Sequence, residues 1–214
     1  MLNKFKKRLL LLALAAAVSC STFGFTMAYM NDSEQNTNVI TVGDVTVDLT
    51  ETRWEPENGV NTLPRESVVK NPAVVNTGSI DAWIFLKVKN PKKNIITVDN
   101  TTKKKNPSAN VELFTFETND SWQLIDKTEN DTDVEYIYGY KEIVPAEDTT
   151  ESLFDTVTMV NYLEGSIDPN EKLDIPVEAM AIQWNVDKAE IGLEKIYDYY
   201  LNQKSYNDGE GIQK

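Results

Sequence analysis

Residues 81–89, Asp81-Ala82-Trp83-Ile84-Phe85-Leu86-Lys87-Val88-Lys89, constrain the fold more than any other stretch of the chain. Their period of two predicts a strand with Ala82, Ile84, Leu86 and Val88 on one face. Trp83 and Phe85, giving way to Lys87 and Lys89, lie on the other. One end of such a strand must be covered on both faces, the other end on one only. That pattern requires packed layers rather than a lone hairpin.

The remaining segments read in the same alphabet. Ile40 and Val42 alternate with polar residues, and after Gly43-Asp44 the alternation resumes out of phase at Val45, Val47 and Leu49. Residues 51–65 read as loop, residues 67–76 as an extended segment around Pro72, and Asn76-Thr77-Gly78-Ser79 as a turn. Residues 90–108, rich in Lys and Asn, predict a long loop with a short strand at 95–98. Further strands are expected over 110–117, 121–127, 134–140, 151–162 and 172–184. Only the C-terminus has helical spacing, through Ala189, Leu193, Ile196, Tyr197 and Tyr200, with Asp187 and Glu190 as a capping-box-like start. Many short strands with turn signals predict an all-β sandwich or barrel with a C-terminal helix.

At the N-terminus, Lys4, Lys6, Lys7 and Arg8 precede an uncharged Leu- and Ala-rich run, the order of a signal peptide. Thr26-Met27-Ala28 supplies small residues where a signal peptidase needs them, which places the cut between Ala28 and Tyr29. A retained anchor, or lipidation at Cys20 after Ala17-Val18-Ser19, are the alternatives. The expected division is a signal peptide at 1–28, an N-terminal segment at 29–42, a sandwich body at 43–203 and a tail at 204–214.

Cleavage there leaves 186 residues (214 minus 28) and removes the one cysteine, so the mature chain must stand on its core without disulfides. It also removes four cations, leaving 17 Lys and Arg against 34 acids, a net of −17. Nucleic acid is not an expected partner for such a surface. Lys87, Lys89, Lys92, Lys93, Lys103, Lys104 and Lys105 nevertheless share a stretch whose one acid is Asp99. Lys92, Lys93, Lys103, Lys104 and Lys105 form its candidate basic patch, set against the reading of a solvated loop.

The chain has no histidine, which excludes His-based zinc sites, Ser-His and Cys-His nucleophile pairs and imidazole bases. No HExxH, GxSxG, P-loop or GxGxxG pattern occurs. No catalytic residue, cofactor or metal site is expected. Carboxylates are abundant enough that a glycosidase-type pair stays open. Asn130-Asp131-Thr132-Asp133 and Asp168-Pro169-Asn170-Glu171 offer oxygen ligands for calcium, but neither follows the EF-hand order, and both read as turns.

Four blocks carry a resemblance. Thr26-Met27-Ala28-Tyr29-Met30-Asn31-Asp32, with the run from Asn38 to Glu51, resembles the start of the TasA and camelysin family. Residues 70–79 with Asp81-Ala82-Trp83-Ile84 are similar to a second block, and residues 152–157 and 176–183 to two more. The resemblance implies a jelly-roll-like β-sandwich, processed by a SipW-type signal peptidase and membrane-bound only before cleavage. It implies a secreted subunit of a Gram-positive biofilm-matrix or surface fibre, a homopolymer that meets other matrix components. Some members of the family are filed as metallopeptidases, but the missing histidine and HExxH make a non-enzymatic role the expectation here. In such fibres the freed N-terminal segment lies as an added strand in a groove of the next subunit. Here that donor arm would comprise Tyr29, Met30, Asn31, Asp32, Ser33, Glu34, Gln35, Asn36, Thr37 and Asn38. A monomeric surface adhesin and a secreted carboxylate-based hydrolase are the other readings.

Overall fold

In the computed structural model, residues 43–55, 62–183 and 188–205 are described. The expected cleavage site, the donor arm, the strand at Ile40 and Val42, the Asp187 cap and all of the tail beyond residue 205 lie outside them. The described residues belong to one compact unit, Gly43–Lys214. Among them the chain forms β1 (Val47–Thr50), β2 (Ser67–Val69), β3 (Ala73–Asn76), β4 (Ala82–Val98), β5 (Lys105–Glu112) and β6 (Phe114–Thr115). It continues through β7 (Trp122–Glu129), β8 (Asp133–Tyr140), β9 (Thr156–Met159), β10 (Val177–Gln183) and the helix α1 (Lys188–Ser205).

Every pairing is antiparallel. The larger sheet runs β10-β4-β8-β7, with β5 added to the far half of β4. The smaller sheets, β2-β9-β6 and β1-β3, are joined by backbone bonds between the strands. Glu66 O accepts from Met159 N at 2.9 Å, Pro72 O from Leu153 N at 2.8 Å and Val74 O from Thr150 N at 2.9 Å, and Asn76 N donates to Asp148 O at 2.9 Å. Residues 66–76 thus pair along their length with residues 147–159. The fold is an all-β sandwich with a C-terminal helix, as the alternation predicts.

β4 sits at the centre. Ile84, Leu86 and Val88 face inward and meet Val68, Val74, Val157 and Met159 of the smaller sheets in one core cluster. Trp83 and Phe85 point the other way, with Ile137 of β8 and Met180 and Ile182 of β10, and are covered by Leu193, Ile196 and Tyr197 of α1. The helix ends its cover where the lysines begin. Lys87 pairs with Glu178 at 3.5 Å and Lys89 with Glu135 at 3.5 Å, carboxylates on the flanking strands. Backbone geometry breaks α1 at Gly192, whose φ of 76° lies in the left-handed region that favours glycine.

The expected loop over 90–108 is instead a hairpin: β4 runs 17 residues to Val98 and returns as β5. Asn90 and Pro91 mark a change of partner rather than an end. Pro91 lacks the N–H that its partner Leu113 would use, and the Leu113 carbonyl accepts from Val160 N at 2.8 Å instead. The Asn90 side chain, 1% exposed, bonds the Phe114 carbonyl at 2.7 Å and Glu112 at 2.6 Å, holding the point where β5 crosses to the smaller sheet as β6. The expected strand over 110–117 is therefore two, and that over 151–162 shortens to β9, because residues 147–155 pair without regular strand geometry.

Candidate functional site

β2 is the edge of its sheet, with β9 on one side and no described strand on the other. Glu66 O and Lys70 N bond to β9 and the segment before it, at 2.9 and 3.2 Å. By strand alternation the N–H and C=O of Ser67 and Val69 point away from β9, to the open edge.

Beside that edge a groove of about 1290 Å³ opens between the smaller sheet and residues 164–175. Its floor is core: Val68, Phe114, Val157, Met159 and Ile175 line it, each at most 8% exposed. Trp54 and Lys70 form one wall, where Lys70 Nζ lies 5.4 Å from the indole centroid and 2.8 Å from Glu51 Oε1. Leu63, 64% exposed, stands at the rim. The chain forms this wall by local turns, with Trp54 N donating to Glu51 O at 3.1 Å and Leu63 N to Glu66 Oε2 at 2.7 Å.

The rim loop carries Glu164, Asp168, Glu171 and Asp174. Asp168 caps its own turn, accepting from Asn170 N at 2.9 Å, and Glu171 pairs with Lys93. The other acidic stretch, far in sequence, is the β7–β8 turn. There Asn130 Oδ1 accepts from Thr132 N and Asp133 N, at 2.8 and 2.9 Å. Bonds from the Thr132 hydroxyl and the Asn130 amide hold the Asp133 carboxyl below the usual carboxylate range. Both stretches are turns, and among the described residues no three acids converge as a metal-ligand set.

The lysine-rich stretch does not form one patch. Lys92 pairs with Glu129, whose carboxyl that bond holds low, and it also donates to the Asn130 carbonyl at 3.0 Å; Lys93 pairs with Glu171. With Lys87 and Lys89 also paired, four of the seven lysines are neutralised within the body. Lys103, Lys104 and Lys105 stand exposed at the β4–β5 hairpin tip, and among the described residues none of the three forms an ion pair, although, beside hydrogen bonds from Thr102 and Thr101, the charge of Lys103 helps to lower the pKa of Asp99. Asp99 closes that tip, accepting from Thr102 N at 2.6 Å, the Thr102 hydroxyl at 2.8 Å and Thr101 N at 3.0 Å, bonds that lower its pKa.

Sequence reasoning missed the groove. Its floor comes from three strands and a loop separated by tens of residues, each too short to show periodicity. Among the described residues no helix is long and apolar enough to cross a membrane, and residues 1–28 lie outside them. Comparison with protein families, with curated proteins and with solved structures found no match to this chain.

Proposed function

We propose that the protein is a secreted structural subunit of an extracellular fibre, polymerising head to tail as residues 29–42 of one copy add to β2 of the next. The observation that supports this reading is the edge of β2, unpaired among the described residues, beside a groove floored by core side chains. An edge strand offers main-chain donors and acceptors, and an adjacent apolar groove accepts alternate side chains of an added strand. Ile40 and Val42 supply such an alternating pair, and the polar residues Asn31 to Asn38 extend beyond them.

Deleting residues 29–42 should leave a soluble monomer with a cooperative melt and no filaments by electron microscopy. Val69→Pro should act alike, because it removes an outward-pointing N–H while leaving the β9 ladder intact. If the truncated chain forms filaments as readily as the mature protein, strand addition by this segment is wrong. Should the mature protein itself stay monomeric, a binding module using the same groove becomes the better reading.

A further inference from the structure

We infer that the hairpin tip bearing Lys103, Lys104 and Lys105 receives the acidic stretch Asp32 to Glu34 of the next copy's N-terminal segment, an inference that rests on the fibre reading above. Charge singles out the tip. The four other lysines of the stretch are ion-paired to Glu135, Glu178, Glu129 and Glu171, whereas among the described residues the tip lysines form no ion pair, and of the three only Lys103 acts through its charge on a carboxylate, that of Asp99. Lys103 donates to the neutral Asn100 carbonyl of its own turn, and Asp99 is committed to Thr101 and Thr102. Residues 29–42 in turn carry Asp32 and Glu34 and no Lys or Arg, so that after cleavage the two acids outnumber the single α-amino charge at Tyr29.

Placement and length agree. The trunk of the hairpin is stitched to the chain entering the rim loop: Val98 N donates to Asn161 O at 2.8 Å and Leu163 N to Ile96 O at 2.8 Å, and Lys93 pairs with Glu171 of that loop. The hairpin therefore rises from the same region as the groove. From Phe114 on the groove floor to Lys105 the chain spans nine residues, a contour of about 30 Å at ~3.3 Å per residue, with the change of sheet at Leu113. From Val42 back to Glu34 or Asp32 it spans eight to ten, about 26–33 Å when extended. A segment seated by Ile40 and Val42 thus has the contour length to bring its two acids to the tip.

Elongation of preformed filaments by the full mature chain tests this. Lys104→Glu with Lys105→Glu, or Asp32→Lys with Glu34→Lys, should each slow elongation about ten-fold in dilute buffer, and less at high salt. The chain carrying all four reversals should elongate at close to the native rate. Native elongation by the lysine variant, or no rescue by the fourfold variant, overturns the inference. Val69→Pro separates the two proposals. If it blocks elongation while the charge variants behave natively, the tip contact alone is wrong; if it elongates natively, the strand-addition reading fails and this inference with it.

Discussion

Buried polar side chains hold the corners of this sandwich, and Asn76 shows how. Fully buried, it donates to the carbonyls of Ile80, Val144 and Pro145 at 2.9, 3.0 and 3.1 Å and accepts from Gly78 N at 3.1 Å. One amide ties a turn to a segment nearly seventy residues away. The turn was legible in Asn76-Thr77-Gly78-Ser79, but the long-range bonds were not, because nothing local distinguishes an Asn that caps a turn from one that also spans a sheet. Asn76→Ala should cost about 3 kcal/mol by leaving these groups without partners, seen as a lower denaturant midpoint with an unchanged slope. Gly78→Ala should also destabilise, since a Cβ there would overlap the Asp44 carbonyl oxygen. Tyrosine ionisation gives a second test. Burial pushes Tyr138 and Tyr197 up to about 12 from an ordinary value of 10.0. Below 10 both folded and unfolded chains keep these protons and the stabilisation is whole. Between 10 and about 12 the unfolded chain releases protons that the folded chain retains, so stability falls as pH rises. Tyr138→Phe should move the alkaline unfolding midpoint upward, and an unchanged midpoint would remove this site from the account.

Among the elements, β4 and α1 were the most legible. The switch from Trp83 and Phe85 to Lys87 and Lys89 states how far along the strand a second cover must reach, and the Leu193, Ile196 and Tyr197 stripe supplies that cover. Ile196, with no exposed surface, lies deepest, so Ile196→Ala should lower stability by about 3 kcal/mol. Equilibrium denaturation would measure this, and dye binding would report exposure of Trp83 and Phe85. A loss below about 1 kcal/mol would mean that the helix is only loosely docked. The hairpin is not legible in the sequence, for a physical reason. Residues 105–110 are all exposed, so no alternation of burial marks them, and the only deeply buried apolar side chain on the facing half of β4 is Ile95, 2% exposed. Main-chain pairing holds that ribbon together, helped by cross-strand contacts such as Ser108 to Asn94 and Asn106 to Thr97. Composition records such pairing poorly, and so it records a groove built from three short strands poorly too.

At the scale of the whole molecule, excess negative charge opposes compaction. With 34 acids against 21 cations, moderate salt should raise the melting temperature of the monomer by screening repulsion more than it weakens the surface pairs of Lys87, Lys89 and Lys93. A melting temperature that falls with added salt would show that those pairs outweigh the repulsion among the acids. The position of β4 also has a kinetic consequence. It must pair with β8, where Phe85 faces Gly139, and with β10, where Val88 faces Val177. These contacts span some fifty and ninety residues, so the chain closes large loops before its central strand is satisfied. Folding should therefore be slow for the chain's size, and it cannot finish until the C-terminal residues are present. A polypeptide emerging N-terminus first would keep its central strand without one neighbour until residues 177–183 had emerged as well, so that its body stays unfinished while residues 99–183 are made.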